Sequence, residues 1–203
     1  MTNKQKTEFI KMCLFYYFRI SKQCKYICSE FGKGNADIFA ENEKSKKQYE
    51  VEIKVSKSDF NAEFVNKKCY SSFKILKHSE GCDIYKNMYF YVCVPEELKE
   101  YTKKIFSSDK RFFNYGILTC DFNGKTTFKE KIKVIKIAKK QSEYKDLKEK
   151  IISRMSSEIF CSRKQYVSSL CEINISSAGI FDDKKEISEE IEETKQFPEV
   201  SNE

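Results

Sequence analysis

The 203-residue chain is expected to fold as one α/β domain with a mixed sheet covered on both faces, followed by a short C-terminal appendage. Three observations lead there. A helical period opens the chain, short alternating β-type segments follow it, and a nearly continuous apolar run, Asn87–Val94, stops at Pro95. Composition agrees: 40% hydrophobic and 34% charged residues suit a globular domain, while six Gly and two Pro exclude collagen-like, Pro-rich and linker-dominated chains.

Taken in order, residues 3–21 form the first helix, because Phe9, Ile10, Cys13, Leu14, Tyr17 and Ile20 recur at three- and four-residue spacing. Lys25–Phe31 alternates β-favouring residues and ends at the turn signal Gly32-Lys33-Gly34-Asn35. Ala36–Ala40 and Gln48–Val55 read as two more strands, joined by a charged connection over 41–47. From Ser56 to Leu76 the spacing of Phe60, Phe64 and Tyr70 predicts one or two helices crossing back over the sheet, with Ser58 or Asp59 as N-cap. Asn87–Val94 is expected at the centre of the sheet, since a continuous apolar run suits a strand buried on both faces.

Pro95-Glu96-Glu97-Leu98 starts a short helix, with proline in its first turn and acids at the positive end of the dipole. Tyr115–Asp121 is a further strand, Thr126–Phe128 and Lys131–Ile137 read as edge strands, and Ser142–Cys171 turns helical. Residues 1–171 therefore form the domain. Residues 172–203 form an acidic tail, either a solvated helix or disordered.

No apolar run approaches the roughly 18 residues of a membrane span, and the N-terminus has no apolar core of a secretory signal, so a cytoplasmic protein without membrane partners is expected. The nine cysteines then read as reduced thiols. They include no CxxC pair, the chain has a single histidine, His78, and small buried hydrophobes are the simplest role for them. Net charge is +7, but residues 182–203 hold nine acids against three lysines, a local −6 that leaves +13 on residues 1–181. Such a basic body points to a polyanionic partner. No GxGxxG or Walker loop is present, which argues against nucleotide-driven work.

The third strand carries the chemistry. Alternation places Val51, Ile53 and Val55 on one face and Glu50, Glu52 and Lys54 on the other, so three charges share a face that helices would normally cover. The strand is therefore either an exposed edge or the wall of a polar cleft. An acid two residues before a lysine occurs seven times in the chain, but only Glu52-Ile53-Lys54 lies on an expected strand. Asp37 stands at the start of the preceding strand, and pairing of the two strands would bring Asp37 and Glu52 together. Converging carboxylates repel unless a cation sits between them. Glu50 is expected to be solvent-exposed.

Asn35-Ala36-Asp37 followed by Glu52-Ile53-Lys54 resembles the PD-(D/E)XK nuclease superfamily, with Ala36 where proline is usual. Val51-Glu52-Ile53-Lys54-Val55-Ser56, then Asp59-Phe60-Asn61-Ala62-Glu63, Cys82-Asp83, Tyr89-Phe90-Tyr91-Val92 and Gly116–Asp121, resembles the MmcB-like DNA repair branch in the same order, over roughly residues 9–160. The chain departs from that branch in lacking tryptophan and in what looks like an insertion over 71–81.

The resemblance implies a restriction-endonuclease-like three-layer core, a central mixed β-sheet flanked by helices. It implies a Mg²⁺- or Mn²⁺-dependent endonuclease acting on DNA in repair or processing. Asp37, Glu52 and the Ile53 carbonyl would hold the metal. Lys54 would orient or help deprotonate the attacking water and stabilise charge on the scissile phosphate. Glu30 is a candidate further acid near the metal, and many such nucleases act as homodimers. The chemistry is consistent, since hard cations take oxygen ligands and phosphodiester hydrolysis needs an activated water and positive charge at the phosphorus. Lys57, Lys67, Lys68 and Lys74, interleaved with Phe60, Phe64, Tyr70 and Phe73, are candidates for contacting DNA phosphates, the aromatics being core residues first. RNA is a candidate substrate too. The alternative is a nuclease-fold module that binds nucleic acid or a protein without cleaving it.

Overall fold

Thr2 begins the first helix by a capping box: its hydroxyl accepts from the Gln5 N–H while the Gln5 side chain accepts from the Thr2 N–H. This helix, α1, spans Asn3–Tyr16 and continues into a π-helical turn, Tyr17–Ser21, closed by the Lys22 N–H on the Tyr17 carbonyl. The wider turn changes the phase of the apolar stripe. Phe18 goes into the core, and Ile20, expected inside, is 50% exposed. The computed structural model describes residues 1–31, 36–65, 88–122 and 128–171. The Gly32–Asn35 turn, the 71–81 insertion, His78, Tyr70, Phe73, Cys82-Asp83 and the acidic tail all lie outside them.

Six strands form one mixed sheet in chain order: β1 (Tyr26–Phe31), β2 (Ala36–Asn42), β3 (Lys47–Ile53), β4 (Tyr89–Pro95), β5 (Gly116–Cys120) and β6 (Ile132–Lys136). The meander β1-β2-β3 is antiparallel, β3-β4-β5 is parallel, and β6 returns antiparallel at the edge. Helix α2 (Lys57–Phe64) follows β3. A 3-10 turn at Glu96–Leu98 leads into α3 (Lys99–Ser108), so the helix expected at Pro95 forms with proline just ahead of it. Helix α4 runs over Lys148–Cys171. The chain divides into two compact units, Met1–Glu158 and Ile159–Glu203; the sheet lies wholly in the first, and the described part of the second is the end of α4. This is an α/β architecture, a six-stranded mixed sheet flanked by helices.

Alternation along the strands sorts the core. One face, including Ile38, Ala40, Val51, Ile53, Tyr91 and Leu118, packs with Ile10, Leu14 and Phe18 of the N-terminal helix. The opposite face carries two separate apolar clusters: Tyr26, Cys28 and Phe39 with Ile151 of α4, and Phe90, Val92, Val94 and Ile117 with Phe60 and Phe64 of α2 and Phe106 of α3. Each of these large side chains contributes roughly 1.5–3 kcal/mol by leaving water. Phe60 and Phe64 are core residues, as expected, and β3, with its charged face, runs between the two clusters.

The first edge strand is closed by side chains. Glu158 accepts from both the Ser29 N–H and the Ser29 hydroxyl (2.5 and 2.6 Å), and Arg154 Nε donates to the Ser29 carbonyl at 2.8 Å. The pair supplies the hydrogen bonds that a further strand would otherwise make.

Gly116 admits no side chain, because a Cβ there would overlap the buried Tyr91 ring and approach the Ala138 nitrogen to 2.8 Å. Gly116→Ala is expected to cost about 1–3 kcal/mol by overpacking, read as a lowered urea midpoint at unchanged slope.

Three sequence expectations are corrected here. The cap of α2 is Ser56, whose hydroxyl accepts from the Asp59 N–H, because residue 56 is the last with extended backbone; neither Ser58 nor Asp59 caps it. Phe128–Glu130 is a 3-10 turn instead of the end of an edge strand; residues 123–127 lie outside the described ones. Residues 142–147 are not helical. The Gln48 amide holds the backbone of Lys145, donating to its carbonyl (2.5 Å) and accepting from its N–H (3.2 Å), and Tyr144 donates to Glu41. These non-local hydrogen bonds replace the helical ones, so α4 starts only at Lys148, whose N–H is met by Asp146.

Candidate active site

The position of β3 decides between an edge and a cleft. It is an interior strand, and its charged face is enclosed: Glu50 and Glu52 are each 1% exposed and Lys54 is 5% exposed. The expectation that Glu50 is solvated is therefore corrected. A single strand viewed alone predicts that charges face water, whereas here β3 is an interior strand flanked on this face by two apolar clusters.

The β2–β3 register pairs Ile38 with Val51, and the next position in the same register sets Asp37 opposite Glu52. Both acids thus fall on the same face of adjacent strands, beside the C-terminal end of β3. Half-buried Asp37 accepts the Ile53 N–H on Oδ2 at 2.7 Å. In an extended strand the N–H and C=O of one residue face the same neighbour, so the Ile53 carbonyl faces the Asp37 side as well.

Lys54 prolongs β3, its N–H donating to the Cys93 carbonyl on β4. Its ammonium meets three acids: Glu63 at 2.7 Å, Glu52 at 3.5 Å and Asp59 at 4.0 Å. Burial pulls the Lys54 pKa down, but attraction to Glu63 and Glu52, the Glu63 hydrogen bond and the charge of Asp59 outweigh it and leave the value raised. Lys54 is thus a cation at neutral pH. Its chemistry is hydrogen-bond donation and charge stabilisation; a proton-abstracting base would have to be neutral.

Asp59 and Glu63 are site residues that sequence reasoning passed over as members of a motif. Their signal was present: four residues apart on the helix that follows the lysine, they occupy one face. Only the packing of α2 against β4 and α3 reveals that this face is turned to Lys54.

Glu30 forms an ion pair with the N-terminal helix. With φ of +52° it breaks the alternation of β1, and its carboxylate pairs with Lys11 of α1 at 3.1 Å, where Glu8 also lies at 3.4 Å. Burial pulls the Lys11 pKa down, yet Glu30, Glu8 and Asp37 together raise it, so a second held cation stands on the Asp37 side of the site. Lys57 is exposed, its ammonium 5.3 Å from the centre of the Tyr101 ring. Lys67, Lys68 and Lys74 lie outside the described residues.

Among the described residues no three His, Cys, Asp or Glu side chains form a ready-made metal cage. The donor set nonetheless suits Mg²⁺ or Mn²⁺. Asp37, Glu52 and the Ile53 carbonyl offer hard oxygen, and Mg²⁺ characteristically takes one or two carboxylates and keeps several waters. The Lys54 ammonium lies within 4.0 Å of the Glu63, Glu52 and Asp59 carboxylates, beside the oxygens that would hold the ion.

No family model matches the chain, and no curated protein matches it. A solved structure, a protein of unknown function from Silicibacter pomeroyi, is similar over 76% of this chain and 84% of its own, at 16% sequence identity and a TM-score of 0.41. Among the described residues no helix is long and apolar enough to cross a membrane.

Proposed function

We propose that the protein is a metal-dependent endonuclease of the PD-(D/E)XK type that hydrolyses DNA phosphodiester bonds, in repair or processing, on a restriction-endonuclease-like core. One observation carries the reading: a buried Lys54 side chain held 3.5 Å from Glu52, with Asp37 opposite Glu52 in the register of the neighbouring strand. The group lies at the carboxyl end of a strand in a parallel pair, where open α/β sheets commonly bind ligands. The +13 charge of residues 1–181 favours a polyanionic substrate.

In this reading Asp37, Glu52 and the Ile53 carbonyl hold Mg²⁺ or Mn²⁺. The ion, when bound, supplies an acidified water and a Lewis acid for the phosphoryl oxygens. The Lys54 ammonium orients that water by hydrogen bonding and stabilises negative charge as it grows on the phosphate. Asp37, by accepting the Ile53 N–H, fixes the end of β3 and with it the base of the Lys54 side chain.

The test is cleavage of supercoiled, linear, single-stranded and branched DNA, and of RNA, with Mg²⁺, Mn²⁺ or EDTA, beside Asp37→Ala. Metal-dependent cleavage that Asp37→Ala abolishes is the expected result, and the preferred topology identifies the substrate. DNA retarded in a gel but never cut would overturn the catalytic reading in favour of a module that binds without hydrolysis.

A further inference from the structure

Glu63 is the nearest acid to the Lys54 ammonium, at 2.7 Å, and its side chain is only 4% exposed. It stands on a different element from the strand that carries Glu52 and Lys54. The helix bearing it is anchored by Phe60 and Phe64 in the core and capped by Ser56. Asp59, one turn earlier, lies farther out at 4.0 Å and is 47% exposed, so the buried end of the interaction belongs to Glu63. The ammonium is consequently drawn to the helix side, and Glu52 is left at 3.5 Å, longer than a charge-assisted hydrogen bond of about 2.7–2.9 Å.

We infer that Glu63 is a positioning residue that draws the Lys54 ammonium toward α2, so that the lysine does not compete with a divalent cation for the Glu52 carboxylate. The inference rests on the nuclease reading above and extends it. Without Glu63, Lys54 is attracted chiefly by Glu52. It would close into a direct pair with that carboxylate and compete with the metal for the same oxygens. The lysine would then hinder metal binding, whereas in the native arrangement Glu63 holds it at 2.7 Å on the helix side. Asp59 offers little substitute, being exposed and screened.

The experiment measures Mn²⁺ binding without DNA, by the paramagnetic signal of free Mn²⁺, in a double-mutant cycle of Glu63→Ala and Lys54→Met, with circular dichroism confirming the fold. Glu63→Ala is expected to weaken Mn²⁺ binding by about tenfold or more, the scale of outer-shell effects. Glu63→Gln, which keeps an acceptor for Lys54, is expected to fall between Glu63→Ala and the wild type. In the Lys54→Met background the same Glu63→Ala change is expected to alter affinity by no more than about twofold, since the competing ammonium is gone. An equal loss in both backgrounds would overturn the inference, because Glu63 would then act through its own charge. Wild-type protein that binds Mn²⁺ with Glu63→Ala binding equally well would overturn it while leaving the nuclease reading intact. A wild type that binds no Mn²⁺ would overturn both.

A second readout needs only the Glu63 variants. In metal-free protein the Lys54 ammonium is expected to give a solvent-protected ¹⁵N resonance that Glu63→Ala loses and Glu63→Gln retains in part. An unchanged resonance would overturn the anchoring role.

Discussion

Glu52→Gln is expected to lower metal-dependent DNA cleavage on the order of a thousandfold while leaving the fold intact. The change removes one charge and almost no volume from a residue that is 1% exposed, so packing along the seam persists. It halves the carboxylate pair that would hold the metal, and the several kcal/mol of charge stabilisation such an ion supplies translates into two to three orders of magnitude at about 1.4 kcal/mol per tenfold. Glu52→Gln and Asp37→Ala are expected to be strongly non-additive, the double variant being little slower than either single one, because both disable the same bound ion. Single-turnover cleavage under saturating Mg²⁺, together with thermal melting, checks this. Cleavage within about tenfold of wild type would remove Glu52 from the site.

Lys54→Met has a different signature, because it affects activity and stability together. Methionine fills the aliphatic volume but leaves Glu52 and Glu63, with side chains 2% and 4% exposed, without their shared cation. Breaking a buried ion cluster from one side typically costs about 3–5 kcal/mol. Urea unfolding should show that loss, and cleavage should fall with it.

The pH dependence follows from the raised Lys54 pKa. Attraction to Glu63, Glu52 and Asp59 exceeds the opposing effect of burial, so the folded value lies above the ordinary 10.5 of the unfolded chain. A pKa raised on folding stabilises fully below the unfolded value and loses that contribution as pH climbs through the folded one. The stability gap between wild type and Lys54→Met is therefore expected to stay constant from about pH 7 to 10 and to shrink only above about 10.5. A gap that closed between about pH 7 and 9 would mean that Lys54 deprotonates near neutrality and is available as a base.

The N-terminal helix, the three-strand meander, the central Tyr89–Pro95 strand and the placement of Asp37 and Glu52 on one face of adjacent strands were legible because each rests on local information: helical period, strand alternation, and the break imposed by proline. Local signals failed where long-range hydrogen bonds competed with them. Residues 142–147 have a helical pattern, but Gln48 and Glu41 from distant strands take up their polar groups. Ile20 has the right spacing for the core and leaves it because the helix widens by a π turn, which no period in the sequence announces.

For the site, the sequence by itself determined which groups share a face of β3 and that Asp37 begins the strand before it, because alternation and chain order are properties of the backbone. Tertiary structure alone decided that this face is buried, that Glu30 pairs with Lys11, and that Glu63 holds Lys54. Those outcomes depend on which helix packs over which part of the sheet. Burial and ion pairing are sums over neighbours remote in sequence, and a carboxylate reads the same on an exposed helix as it does 2.7 Å from an ammonium.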